Sequence, residues 1–244
     1  MPHAAATPTP TPAPAPGLAA DRPEMLDRDD LDAAAVEAAL AELRRVNRWL
    51  LGHGPVRRTL LPRLAAGPRE QLLVDVGTGS GEVAGGLARR VAAAGRRLRV
   101  VGVDRKLAHL LAGGRDRPRQ LRVVADARAL PFADGALDWS LSTLFFHHFD
   151  AAGNRRVVAE MRRVAQRGAV IVDLRQSALA RRVGPLLIAA LGVGAITRHD
   201  GRLSLARAWT LPAVAALVAG QPVVELRRRF PFRFSLVLAA GSQH

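Results

Sequence analysis

Three glycines and three acids carry the chemistry of this sequence. Gly77, Gly79 and Gly81 alternate within residues 72–82, LLVDVGTGSGE, directly after an apolar run that contains one acid, Asp75. Glycine tolerates positive φ and puts no Cβ in the way of a ligand, so such a loop can bring backbone against a small molecule. Two further apolar runs end in carboxylates: LRVVGVD at Asp104, 23 residues beyond Gly81, and LRVVAD at Asp126, 22 residues later. A carboxylate holds a vicinal diol through two charge-assisted hydrogen bonds and rejects a 2′-phosphate. His147 and His148 follow a fourth apolar run. Imidazole titrates near neutrality, as a base that deprotonates a hydroxyl or a carbon acid should.

These groups converge only if the runs are parallel strands. Residues 72–76 read as a buried strand, and residues 82–94 as a helix whose positive end faces the glycine loop. Open α/β sheets bind ligands at the carboxyl ends of their strands, where the glycines, Asp104 and Asp126 would all lie. The glycine loop alone would also suit a packing turn, and a strand-end acid would also suit a helix cap. Three such strand ends in succession favour a ligand. Residues 137–144 and 169–174 read as further strands, residues 154–165 as a helix, and Thr210 as the cap of a helix that runs to residue 218. Residues 223–228 and 232–238 read as strands joined around Pro231. Ahead of the first strand, Val36, Leu40, Leu43, Val46 and Leu50 repeat at helical spacing within residues 31–51, and a shorter helix covers 56–64.

The loop pattern discriminates between cofactors. Nicotinamide and flavin folds use G-x-G-x-x-G, with a third glycine that packs helix on sheet and a helix end that meets a pyrophosphate. Here the run is G-x-G-x-G with Glu82 next, and Lys106, the only lysine, is not part of a phosphate-binding G-x-x-x-x-G-K-[ST]. Over roughly residues 70–240 the chain resembles the class I S-adenosylmethionine-dependent methyltransferases, whose first motif is an acid followed by G-x-G-x-G. The resemblance implies an α/β, Rossmann-like fold: a seven-stranded, mostly parallel sheet with an antiparallel C-terminal edge hairpin, helices on both faces and an N-terminal helical cover. It implies S-adenosylmethionine as cofactor. Residues 77–81 would cradle its methionine moiety, Asp104 would accept both ribose hydroxyls, and Asp126 would take the adenine amino group. Asp75, Thr78, Arg105, Ala127 and Leu144 complete the implied cofactor set.

The acceptor side rests on two further likenesses. LPFADGALDWSLSTLFFHHF resembles the segment of small-molecule methyltransferases, the ubiquinone and menaquinone C-methyltransferases among them, in which P-F-x-D-x-x-F-D precedes a strand ending in histidine; Leu137 stands where an aromatic is usual. The N-P-P-Y or D-P-P-Y tetrapeptide of enzymes that methylate poorly nucleophilic amino groups is absent. N-R-W-L at residues 47–50, the histidine pair, and R-H-D-G-x-x-S at residues 198–204 are similar to a bacterial group found beside type III polyketide synthases. That likeness implies a cover over the acceptor pocket at residues 175–207. His199 would join His147 and His148 as a candidate base, and Trp49, Arg175 and Asp200 would face the acceptor. The same segment also reads as a helical hairpin whose polar residues cap its turn, and Trp49 as a core residue. The expected reaction is O-methylation, with C-methylation second, of a hydrophobic phenolic or polyketide-like molecule. An RNA-directed methyltransferase and a cofactor-binding partner without catalysis are the alternatives.

Composition narrows the remainder. A chain of 244 residues with 49% hydrophobic side chains buries one substantial core. We expect a disordered Pro/Ala/Thr-rich tail at residues 1–28, a helical cover at 29–68 and the methyltransferase domain at 69–240. The formal charge of +15 suggests nucleic acid at first sight, but the arginines come in scattered pairs with no basic stripe among aromatics. Their excess looks like the coding bias of a GC-rich bacterial genome, so a lipophilic small molecule is the expected partner. Zero cysteine excludes disulfides and thiolate metal sites, and the seven histidines show no ligand spacing, so no metal is expected. The longest apolar run, residues 183–196, is glycine-broken and too short to span a bilayer. A soluble, cytoplasmic protein is the expectation, with its oligomeric state open.

Overall fold

The computed structural model describes residues 24–28, 30–49, 53–112 and 120–241. Seven strands form one sheet: β1 (Glu70–Val76), β2 (Arg97–Asp104), β3 (Leu121–Val124), β4 (Leu137–Thr143), β5 (Ala165–Leu174), β6 (Val223–Arg229) and β7 (Arg233–Leu238). Their order is β3-β2-β1-β4-β5-β7-β6. The strands pair in parallel from β3 to β5, and the hairpin β6–β7 adds antiparallel at the edge. The order reverses between β1 and β4, so a crevice opens at their carboxyl ends.

Period-two burial gives the sheet two apolar faces. Leu73, Val170, Val172 and Val237 pack against Val56, Leu60 and Leu64 of α2 (His53–Ala66) and Leu87 and Val91 of α3 (Glu82–Ala93). Their neighbours Val74, Ala169, Ile171 and Leu236 face the other way. They meet Val157, Val158 and Met161 of α5 (Ala151–Arg163) and Val214 and Leu217 of α8 (Leu211–Leu217). Thr210 caps α8 as expected, its side chain accepting from the Ala213 amide. The helix expected over 154–165 ends at Arg163 instead, and β5 begins at Ala165 rather than 169. Gly168, at φ +147°, sits at a register shift opposite Leu137 and Trp139, so this strand start lacks regular alternation.

Helix α1 (Ala33–Trp49) precedes α2, and α4 (Leu107–Leu111) follows β2. The segment expected to cover the acceptor is a pair of packed helices, α6 (Ala178–Ala190) and α7 (Ala195–Arg207). Gly184 admits Leu205 and Gly201 admits Ile188, each so closely that a Cβ would lie 2.5 and 2.7 Å from the neighbouring side chain. Composition put residues 24–28 in the tail, but residues Met25–Asp27 form a 3-10 turn whose Leu26 is buried beside Val36, Ala39 and Leu40. The cause is Asp200 on α7, whose carboxylate accepts the amides of Met25 (2.7 Å) and Leu26 (2.9 Å). The rest of that tail, residues 1–23, lies outside the described residues. Among the described residues, no helix is long and apolar enough to cross a membrane.

Candidate functional site

The glycine loop departs from β1 in the left-handed region. Gly77, Gly79 and Gly81 have φ of +69°, +51° and +77°. Side chains rarely adopt these angles, and a Cβ on Gly77 would sit 2.3 Å from the Phe145 ring. A Cβ on Gly79 would meet nothing within 4 Å. The amides of Gly77 and Thr78 both donate to the Val103 carbonyl at 2.9 Å, which ties the loop to β2. Asp104, at the end of β2, accepts the Gly79 amide (2.9 Å) and the Lys106 amide (3.0 Å), one on each oxygen. His109 Nδ1 lies 3.3 Å from the same carboxylate. Burial pulls the His109 imidazole down, but Asp104 outweighs it and the net shift is upward.

Asp75 lies beneath the loop, almost fully buried, and accepts the Thr78 hydroxyl at 2.6 Å. Burial pushes its carboxyl up from 3.8 to about 7; the Thr78 bond opposes this and the Asp104 charge adds to it. The folded chain therefore holds a proton that the unfolded chain releases. The stability this confers is complete below the unfolded value of 3.8 and is lost as pH rises through the folded value of about 7. Within that window the unfolding free energy from urea titrations should fall with rising pH, by on the order of 1 kcal/mol per unit from this group. Asp75→Asn should remove that slope; an unchanged slope in the variant would show that Asp75 is already ionised.

Above the loop lies a cavity of about 590 Å³. Gly77, Thr78, Gly79, Asp104, Arg105, Asp126, Ala127 and Leu144 form its sheet-edge wall. Leu144 adopts φ +53° at the end of β4, a strained angle for a branched side chain. Asp126, two residues past β3, pairs with Arg128 (2.6 Å), which holds its carboxyl below the usual range. The wall formed by α1, α6 and α7 is mostly apolar: Leu40, Leu43 and Val46 from α1, with Arg44 and Asn47 beside them, Leu187 and Ile188 from α6, and Leu205 from α7.

Between the two walls stands a cluster of histidines and acids. The turn Phe146–His148 places His147 in the interior and His148 on the cavity, each with an acid at Nδ1: Asp173 at 2.7 Å and Asp27 at 3.1 Å. Asp173, fully buried at the end of β5, also accepts the Phe146 and His147 amides. The Nε2 atoms of both rings lie 3.7 Å from Glu24, one from each carboxylate oxygen. Ser204 on α7 donates to Glu24 at 2.7 Å. Burial pulls the His147 imidazole down, but Asp173 and then Glu24 outweigh it and raise it to about 10. Burial likewise pushes Glu24 up, yet the two histidines leave it below its ordinary value.

Several residues expected at the site lie elsewhere. Asp75 and Gly81 are behind the loop rather than on the cavity wall, so Asp75 shapes the loop through Thr78. Arg175 lies off the wall, with its amide on the Phe232 carbonyl and its guanidinium on the Gln176 carbonyl. Asp200 faces the 3-10 turn rather than the acceptor, and the half-exposed His199 hydrogen-bonds to it at 2.9 Å outside the cavity. R-H-D-G-x-x-S is thus a clasp in this fold: Asp200 holds the turn, Gly201 admits Ile188, and Ser204 holds Glu24. Trp49 ends α1, and its side chain lies outside the described residues. Sequence reasoning passed over Glu24, Asp27, His109 and Asp173. Only Asp173 had a signal, an acid closing an apolar strand.

Residues 74–172 match the family model of a methyltransferase domain. Among curated proteins, none matches the chain. Solved structures share its fold. A SAM-dependent methyltransferase from Aquifex aeolicus is 16% identical, with a TM-score of 0.56 over 86% of this chain and 98% of its own. Magnesium protoporphyrin IX methyltransferase from Synechocystis PCC 6803, solved with bound SAM, is 13% identical, with a TM-score of 0.52 over 88% and 100%. A SAM-dependent methyltransferase from Methanosarcina mazei is 16% identical, with a TM-score of 0.50 over 73% and 96%. The site fits that cofactor on its own terms, because the Gly79 backbone opens onto the cavity and Asp104 Oδ2 keeps lone-pair capacity beyond the Gly79 amide. Residues 74–172 therefore carry a methyltransferase domain on the class I fold, and its cofactor is S-adenosylmethionine.

Proposed function

We propose that this protein methylates a hydroxyl oxygen, or in second place a carbon, of a hydrophobic phenolic or polyketide-like small molecule. The observation that carries the reading is the make-up of the cavity: an apolar wall of leucines, valine and isoleucine faces a histidine pair at the end of β4. The glycine loop, Asp104 and Asp126 would hold S-adenosylmethionine, which supplies an electrophilic methyl group on a sulfonium. Helices α1, α6 and α7 would exclude water and align a flat lipophilic acceptor against it. His148 stands on the cavity wall, with Asp27 on its Nδ1, beside the place where an acceptor hydroxyl would lose its proton.

A tritiated-methyl assay with alkylresorcinols and related phenols tests this reading. His148→Ala should lower turnover on the order of 100-fold, the usual effect of removing a group that handles the proton. His199→Ala, which alters a residue outside the cavity, should keep turnover within about twofold, because substitutions away from such groups change little. Failure of the parent chain to methylate any phenol, or equal loss in both variants, would sink the assignment.

A further inference from the structure

Sequence spacing shows no metal motif, yet the fold brings two imidazoles and one carboxylate to a single point. We propose that Glu24, His147 and His148 bind a divalent first-row transition ion on the acceptor side of the cavity. The inference rests on the acceptor reading above and deepens it.

The ligand atoms of these three residues all lie within 4.8 Å of one another. Each histidine Nε2 stands 3.7 Å from a different Glu24 oxygen, too far for a hydrogen bond. Ligands side by side on an ion with bonds of about 2.1 Å stand roughly 3.0 to 3.4 Å apart, so each histidine need close on Glu24 by only about half an ångström, while the full set, within 4.8 Å, would draw together on binding. Orientation points the same way. Asp173 lies 2.7 Å from Nδ1 of His147, and Asp27 lies 3.1 Å from Nδ1 of His148. A carboxylate at Nδ1 fixes the tautomer that leaves the Nε2 lone pair bare and makes it a better donor, as around metal-bound histidines. Ser204 holds the Glu24 carboxylate from a third side.

A plain ion-pair network accounts less well for the geometry. Charge-assisted pairs close to about 2.7–2.9 Å, whereas these contacts remain open. The two rings also lie 4.6 Å apart between centroids, tilted by 37°, an unfavourable place for two imidazolium cations. Three carboxylates, those of Glu24, Asp27 and Asp173, surround the rings, and Glu24 and Asp173 are buried. Two imidazole nitrogens and one carboxylate suit zinc, cobalt, iron or manganese better than magnesium or calcium. All three ligand residues line the cavity, so the open positions of such an ion would face the acceptor. An ion there would lower the pKa of an acceptor hydroxyl, and His148, with its Nε2 on the ion, would then assist the deprotonation through the ion while the proton passes to water.

The test uses the full chain, stripped with EDTA, dialysed and titrated with Co(II), followed by calorimetry and visible d–d absorption. The expected result is one equivalent per chain with a visible band. Glu24→Gln and His148→Asn should each weaken it by about 100-fold. S-adenosylmethionine affinity serves as the folding control for both variants. Absence of a saturable single equivalent in the parent, or a Glu24→Gln variant that titrates like the parent, overturns the site. Full-rate methylation of an alkylresorcinol by stripped chain that takes up no Co(II) overturns the site and leaves the acceptor reading standing. Tight uptake by a chain that methylates no phenol keeps the site and overturns the acceptor reading.

Discussion

Replacing Asp104 by alanine is expected to weaken S-adenosylmethionine binding about 1000-fold while leaving the fold intact. The carboxylate closes β2, and its two oxygens each accept one backbone amide, from Gly79 and from Lys106. An ionised carboxylate has about four lone-pair positions; beyond the two amides one remains on Oδ2, and the other, on Oδ1, faces His109 Nδ1 at 3.3 Å, a contact that a ligand hydroxyl would share or replace. In the proposed role those positions take the two ribose hydroxyls. A hydrogen bond to a charged group contributes about 2 kcal/mol, and two of them amount to about 4 kcal/mol, or about three decades of affinity. The alanine variant also frees Gly79 from its tether, so the loop loses part of its arrangement before the cofactor arrives.

Asp104→Asn separates charge from shape. It keeps one acceptor oxygen and should lose affinity about 30-fold, since each lost charge-assisted bond accounts for roughly half the effect. Calorimetric titration with S-adenosylmethionine gives both values, and circular dichroism reports the fold. The β2 ladder to β1 and β3 does not pass through this side chain, so the melting temperature should change little. An alanine variant that binds within about threefold of the parent would remove Asp104 from the cofactor site.

The glycine-loop half of the cavity was open to sequence reasoning because its signals are local. A buried parallel strand reads as a continuous apolar run, and the loop after β1 needs positive φ at Gly77, Gly79 and Gly81, which only glycine accepts readily. The β6–β7 hairpin was equally visible as two runs about Pro231. The acceptor half depends on contacts that span most of the chain. Glu24, Leu26 and Asp27 stand in a stretch whose neighbours are a proline repeat, and composition gave no reason to separate them from it. Their partners, Asp200 and Ser204, lie on a helix near the other end, and no local pattern joins the two. His199 and Asp200 had the residue types of a site, but adjacent helical positions do not reveal which side meets the cavity. The start of β5 was hidden for a local reason: Gln166, Arg167 and Gly168 sit at an irregular register where alternation fails.

The glycine loop and the histidine cluster meet through Phe145, and this makes the sheet ends act together. Phe145 packs so closely on Gly77 that no Cβ fits between them, and its ring stands 5.7 Å from that of His148. The turn that aims both histidines is therefore braced by the loop on one side and by Asp173 on the other.

Asp173→Ala should cost the folded state about 3–5 kcal/mol, the usual effect of removing one member of a buried charged pair. At this chain length that corresponds to a fall of about 10 °C in melting temperature. Asp173 is fully buried and accepts from the amides of Phe146, His147 and Leu174 and from the His147 ring. Alanine strands those donors away from water. It also removes the acid that offsets burial at Arg233, whose guanidinium burial already pulls down to about 10. Asp173→Asn discriminates further. Its amide oxygen can still accept the Phe146 and His147 amides, though its NH2 group now meets the Leu174 amide, so the turn should persist and the melting temperature should fall by less than in the alanine variant. Its NH2 group faces His147 Nδ1, however, and forces the proton to Nε2, which points at Glu24. Methyl transfer should then fall on the order of 100-fold, with S-adenosylmethionine affinity unchanged, because the cofactor wall is untouched. If the asparagine variant keeps full turnover, the orientation of His147 is immaterial to the reaction, and Asp173 is a structural acid alone.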